Sequence, residues 1–356
     1  MKIRRLSVKS FRPFRSLQLD IPDAGIVIRG ANGAGKSSLL EAIGYLALGR
    51  SIRGAPDRDV IKEGGGGFLV AGSFRDDERA LEVSLEVRSG EKRALLDGNP
   101  VERLADMVGE VGVVHVDAES ISIIRGGPEH RRRFLDVTLC QVDHTYLRTL
   151  QDYRRTLRVR NKILQDIRKG APPGDLGVWT QQLARLGAEI SRVRNRCVDE
   201  LSDVAQERYE ALGGRPGAAR WIYRPSGDTS SQEAFSRALE AGLSRDRSMG
   251  FTTMGPHRDD IQVKLGGRVA RRGASYGETK TLLLAWVSAQ ADWIEKQSGR
   301  PPILLLDDLA GELDACHREG LASAVPPQSQ VIVADPEGVE FPRSLAHLST
   351  FQVPLQ

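Results

Sequence analysis

Eight consecutive residues near the start, Gly30-Ala31-Asn32-Gly33-Ala34-Gly35-Lys36-Ser37, do most to limit what this chain can become. They fit the pattern GxxxxGK[ST]. They also lie between an apolar run ending at Ile28 and a segment, 37–48, in which Leu39, Leu40, Ile43 and Leu46 recur at helical spacing. The pattern's mechanics need a strand, a glycine-rich turn and a helix in that order. Small residues let successive backbone N–H groups converge on a β-phosphate, and the helix N-terminus adds positive potential. The amine of Lys36 can then reach β- and γ-oxygens while the Ser37 hydroxyl joins a Mg²⁺ shell. Gly30 to Ser37, with Ser38 on the first helical turn, are the candidate triphosphate-binding residues, and their setting predicts an α/β fold.

A second half of such a site is written in Ile303-Leu304-Leu305-Leu306-Asp307-Asp308. Four apolar residues predict a buried strand, and a carboxylate at its carboxyl end can hold magnesium. Asp307 is the candidate metal-side residue, and Asp308 the candidate to orient or deprotonate an attacking water. A third element, Ala274-Ser275-Tyr276-Gly277-Glu278, stands about thirty residues earlier, ahead of a predicted helix over 278–296. It resembles the signature motif of ABC-type ATPases, in which the hydroxyl of Ser275 and the amide of Gly277 suit a γ-phosphate. Glu312-Leu313-Asp314 resembles the D-loop of the same superfamily, which adds Asp314 to the nucleotide-side residues.

The rest of the chain predicts how these pieces are joined. Strand-like alternation covers 2–8 and 17–21, and an apolar run covers 25–28. Runs 68–74 and 81–87 flank a charged turn and predict an added antiparallel β subdomain. From 131 to 212 glycines are few and charges many, with Leu147, Leu150, Leu157 and Leu164 at helical spacing. The prolines and glycines of 169–174 cannot continue a helix, so this arm should reverse there into an antiparallel partner. A loop is expected over 213–246, followed by short strands 261–265 and 268–270 around Gly266-Gly267, a strand at 303–306 and a late strand at 331–334. The segments read as the N-terminal part of an ATP-binding head (1–130), a helical arm (131–245) and the C-terminal part of the head (246–356).

Composition narrows the setting. No uncharged apolar run approaches the ~20 residues needed to cross a bilayer, and the start lacks a signal-peptide stretch, so a soluble, cytoplasmic chain without a membrane partner is expected. The 3 cysteines, Cys140, Cys197 and Cys316, have neither an even count nor CxxC spacing, which supports neither a disulfide framework nor a zinc site. The 51 Lys+Arg against 47 Asp+Glu give +4, which permits a polyanionic partner without demanding one. Basic residues recur at Arg4, Arg5, Arg12 and Arg15, at Arg131 to Arg133, at Arg154, Arg155, Arg158 and Arg160, and at Arg192, Arg194 and Arg196. With no base-reading motif, DNA contact through such clusters would be sequence-independent and steeply salt-sensitive. The alternative for each arginine is a solvated helix face.

Beyond these motifs the chain carries Ser10-Phe11-Arg12, Leu39-Leu40-Glu41-Ala42, Gly49-Arg50-Ser51-Ile52-Arg53, Gly127-Pro128 with Arg131-Arg132-Arg133-Phe134-Leu135-Asp136, and Gly255-Pro256-His257-Arg258-Asp259-Asp260. With them it resembles, end to end, the RecF family of bacterial recombination mediators, relatives of the SMC proteins. The resemblance implies an ABC-type ATPase head with a β subdomain and a helical arm. It implies a weak, DNA-stimulated ATPase that forms a homodimer around two ATP molecules, Ser275 and Gly277 of one copy facing the γ-phosphate held by Lys36 of the other. It further implies action with RecO and RecR on duplex and gapped DNA, placing RecA at single-stranded gaps. The chain departs from the family's pattern at Glu278, where glutamine is usual, and at Val116 to Ser120, where Pro-Glu-Asp is usual. No histidine follows the strand 331–334, leaving Asp335 as a positional candidate for a switch residue. His257 is open to a structural or a nucleotide-side reading. The same head motifs would also serve a transporter's ATP-binding subunit, which has no use for the arm or for Gly255 to Asp260.

Overall fold

The computed structural model describes residues 1–307, 319–320, 326–335 and 345–354. Asp308, Glu312, Leu313, Asp314 and Cys316 lie outside the described residues.

Alternating side chains build the first strands. β1 (Lys2–Phe11) buries Ile3, Leu6, Val8 and Phe11, and pairs antiparallel with β2 (Phe14–Asp20) through a tight turn. Next come β3 (Gly25–Arg29) and α1 (Lys36–Leu48), which ends where Gly49 takes φ 64° and its N–H caps the Tyr45 carbonyl. A meander follows: β4 (Gly67–Arg75), β5 (Ala80–Arg88), β6 (Glu91–Leu96) and the short β7 (Asn99–Pro100), then β8 (Val113–Val116). Helices α2 (Ser122–Arg125), α3 (Pro128–Cys140), α4 (His144–Arg168) and α5 (Leu176–Ala211) come next. The chain continues through β9 (Ala219–Arg224), α6 (Gln232–Ala241), α7 (Leu243–Met249), β10 (Asp260–Leu265), β11 (Arg268–Val269), α8 (Ala270–Gly273) and α9 (Tyr276–Ser298). It closes with β12 (Ile303–Asp307), β13 (Val331–Asp335) and β14 (Ser349–Gln352).

Two compact units result. The first comprises Met1–Ile121, Arg208–Gly214 and Tyr276–Gln356. Among the described residues it holds a parallel sheet in the order β14-β3-β13-β12-β8 and an antiparallel sheet in the order β2-β1-β4-β5-β6-β7. Every residue of β12 and β13 is buried, as central strands covered on both faces must be. β5, by contrast, alternates: Leu81, Val83, Leu85 and Val87 are buried and the residues between them face water. Helix α1 is buried nearly all round, including Glu41 at 0% exposure, whose carboxylate accepts both Nε (2.9 Å) and Nη2 (3.1 Å) of Arg12.

The second unit comprises Ser122–Glu207 and Arg215–Ser275. Asp143 caps α4 by accepting the Tyr146 N–H, and α4 ends at Arg168, just before the expected reversal. The loop expected over 213–246 is instead largely ordered structure. β9 buries Ala219, Trp221 and Tyr223 and pairs antiparallel with β10, which pairs in turn with β11. Helix α6 starts at a Ser231 cap and buries Phe235 and Leu239. The strand is short and set among glycines and prolines, so its alternation becomes decisive only beside a partner more than thirty residues away.

Candidate nucleotide-binding site

The glycine-rich turn follows β3 and delivers Lys36 and Ser37 as the first two residues of α1. Gly35 adopts φ 104°, and a Cβ there would come within 2.6 Å of Phe14 Cζ and 2.7 Å of Pro13 Cγ, so only glycine fits. The Pro13-Phe14 wall is fixed in its turn by the Arg12 to Glu41 pair and by Lys62, whose amine donates to the Pro13 carbonyl. No side chain caps the start of α1 and no acidic residue lies in its first turn, so its amino end offers uncompensated N–H groups and positive potential. Lys36 Nζ is held over the loop by the carbonyls of Gly30 (2.8 Å) and Ala31 (3.0 Å).

β12 is two strands from β3, with β13 between them. At about 4.8 Å per strand, Asp307 would be beyond direct reach of the loop's own strand. Helix α1 crosses that gap, and Ser37 Oγ donates to Asp307 Oδ1 at 2.7 Å. Burial raises the Asp307 carboxyl above its ordinary value. The Ser37 hydroxyl, His115 and Arg53 oppose that shift, and Asp117 adds to it. A hydroxyl and a carboxylate oxygen this close form an all-oxygen pair suited to a hard cation that leaves its other positions to water and phosphate oxygens. Among the described residues no group of three His, Cys, Asp or Glu side chains could hold a metal alone, as a Mg²⁺ site shared with phosphates allows.

Sequence reasoning missed Arg53 and His115 as neighbours of the carboxylate. His115 sits on β8 opposite Leu305, and Asp117 follows it, bonded to the Ser120 N–H and hydroxyl. The signal was present in the Gly49 to Arg53 motif and in the loop after Val116, without indicating which side chain turns toward the strand end. Asp335 is buried at the end of β13, one strand over from Asp307. Gly277 lies in the first turn of α9 with open space where a Cβ would be, and Ser275, Tyr276 and Glu278 are exposed. The phosphate loop and Asp307 thus come together, whereas Ser275 and Gly277 face solvent.

In the second unit the motifs 131–136 and 255–260 interlock. Arg131 grips Asp260 through Nε (2.7 Å) and Nη2 (3.1 Å) and donates to the Ile123 and Gly126 carbonyls. Arg132 donates to the Asp259 carbonyl, and Arg194 bonds both Asp136 (2.7 Å) and the Pro256 carbonyl (2.7 Å). Asp259 accepts the Tyr223 hydroxyl and the Ser226 N–H. His257 Nε2 lies 3.1 Å from the Thr252 carbonyl, which can only accept, so Nε2 carries the proton and Nδ1 takes the Tyr153 hydroxyl at 2.8 Å. His257 thus links the Tyr153 hydroxyl to the Thr252 carbonyl, and burial pushes it down to about 4.

The model of the RecF/RecN/SMC N-terminal domain matches residues 2–337. The DNA replication and repair protein RecF of Moorella thermoacetica is 34% identical over 95% of this chain and 90% of its own length. The chain belongs to the RecF family. The RecF protein of an Anaeromyxobacter species is 35% identical over 96% of this chain and 94% of its own. A solved structure described as the recombination mediator protein RecF with ATP in the RecFOR pathway superposes with a TM-score of 0.87 at 28% identity, covering 95% of this chain and 93% of that one. An Smc head bound to the C-terminal winged-helix domain of ScpA shares the fold alone, at TM-score 0.54 and 20% identity. The fold of this RecF-family chain is thus an ABC-type ATPase head with a β subdomain, joined to a helical arm. No helix among the described residues is long and apolar enough to cross a membrane.

Proposed function

We propose that this chain is an ATP-dependent DNA-binding protein of recombinational repair: it binds ATP with Mg²⁺, pairs with a second copy around the nucleotide, hydrolyses it slowly, and acts in the cytoplasm with RecO and RecR to place RecA at gapped DNA. The observation that carries the reading is the meeting of Ser37 with Asp307 across 270 residues of chain, beside an amine parked on two loop carbonyls. Gly30 to Ser38 would cradle the phosphates. Lys36 would exchange its carbonyl partners for β- and γ-oxygens, a stronger charge-assisted contact. Ser37 and Asp307 would hold Mg²⁺, which when bound neutralises charge on the β- and γ-phosphates. Asp308 would orient the attacking water, and Asp314 would lie on the nucleotide side.

Ser275 and Gly277 would complete the site on the partner copy. Their exposure at the start of α9 supports this, because a signature turn already packed within its own chain could not serve another. Light scattering tests the composite site: ATP with Mg²⁺ doubles the mass of the wild type and leaves Lys36→Met monomeric. Ser275→Arg retains nucleotide and stays monomeric. A wild type that remains a monomer when saturated with nonhydrolysable nucleotide, with and without duplex DNA, overturns the proposal.

A further inference from the structure

We propose that the β10–β11 hairpin and α8, which lead along the chain to Ser275, form a contact surface for the phosphate backbone of nucleic acid. The inference rests on the DNA-binding part of the function proposed above and names where that contact is made. Between Asp260 and Glu278 the sequence contains no carboxylate, yet it carries Lys264, Arg268, Arg271 and Arg272. The three arginines are exposed, and none of the four cations forms an ion pair within the described residues.

Several of the arm's other cations behave differently. On α4 and α5, Lys162 is matched by Asp166, Arg192 by Glu189 and Arg196 by Glu200, all within one helical turn. Arg131, Arg160 and Arg194 are buried against carboxylates. Those charges are spent inside the molecule.

At the hairpin the fold concentrates positive charge instead. Register places Lys264 directly opposite Arg220, a like-charge cross-strand pair that destabilises a sheet. Among the described residues Arg220 pairs only with Asp203, at 3.8 Å, both side chains more than half exposed, so solvent screens that attraction. Arg215 folds over the turn, where a Cβ on Gly266 would come within 2.7 Å of its Nη2. Gly267, at φ 80°, leaves bare backbone at the tip. A polyanion relieves this repulsion, and side-chain-free glycine lets it approach closely. An acidic protein segment would need an apolar anchor at the centre of its footprint, and the surface offers only Val269, 40% exposed. Point charges spaced along two strands and a helical turn suit phosphates without reading bases.

The test is fluorescence anisotropy with labelled duplex and gapped DNA over a salt series, on the full chain. Each phosphate contact contributes about 0.9 to the slope of log affinity against log salt. Arg271→Gln/Arg272→Gln is expected to lower that slope by about 2 and weaken binding about 30-fold at roughly 0.15 M salt. Arg271→Lys/Arg272→Lys restores the slope, and Arg155→Gln/Arg158→Gln, exposed on α4, leaves it near that of the wild type. Thermal midpoints that match the wild type confirm that each variant folds. If the wild type binds DNA and the Arg271/Arg272 glutamine variant keeps its slope, this surface is the wrong one and DNA binding stands. A wild type that binds neither DNA overturns both readings. A variant that keeps DNA but loses a glutamate-rich peptide assigns the surface to acidic protein, against the proposal.

Discussion

Lowering the pH from 7.5 to 5 tests the interlocked motif in the second unit through His257. Its ring is neutral because burial dominates. Arg258 and Arg132 also disfavour a second proton, while the Thr252 carbonyl and Asp259 favour it. With a folded value of about 4 against 6.5 unfolded, the unfolded chain binds more protons between those limits, so stability contributed by the neutral ring is complete above pH 6.5 and declines as pH falls toward 4. The full separation is worth about 3 kcal/mol, of which about 2 kcal/mol is lost by pH 5. Denaturant unfolding followed by tryptophan fluorescence at both pH values measures it. His257→Gln supplies an amide that can donate to Thr252 and accept from Tyr153 without titrating. Carboxylates and the other histidines titrate in both proteins, so the difference between them isolates His257. The wild type is expected to lose about 2 kcal/mol more than the variant over this interval. Parallel losses would refute the assignment of a half-buried, neutral ring.

Two further outcomes follow from packing. Gly35→Ala forces a Cβ at positive φ into Pro13 and Phe14, so ATP affinity measured with a fluorescent analogue should fall at least about tenfold, with a stability loss of roughly 1–3 kcal/mol in thermal unfolding. Asp136→Ala strands Arg194, only 3% exposed, and should cost about 3–5 kcal/mol, whereas Asp199→Ala on the exposed face of α5 should stay within about 0.5 kcal/mol. Equal effects at the two aspartates would contradict the buried network.

How much could be read in advance depended on how local each signal was. The turn at Gly30 to Ser37 was legible because strand, loop and helix are consecutive and each residue's task follows from its own size and conformation. The reversal between Arg168 and Leu176 was legible for the same reason, through prolines and glycines that no helix tolerates. β9 was not, since Trp221 and Tyr223 make a strand only when β10 supplies a partner. The arginines of the arm illustrate the limit best. In sequence Arg154, Arg155, Arg194 and Arg196 look alike, yet Arg194 is buried on Asp136, Arg154 joins it there, Arg196 pairs within its helix, and Arg155 stays exposed without an ion pair among the described residues.

By itself, then, the amino-acid order determined a glycine-rich turn between strand and helix, a buried strand ending in a carboxylate and a broken helical arm, because those features are governed by neighbours along the chain. Tertiary structure decided that Asp307 meets Ser37, that residues 131–136 and 255–260 brace one another, and that positive charge is left unmatched, among the described residues, around Arg268 to Arg272. Pairing and burial depend on what folding brings within a few ångströms, and side chains far apart in sequence carry no mark of that proximity.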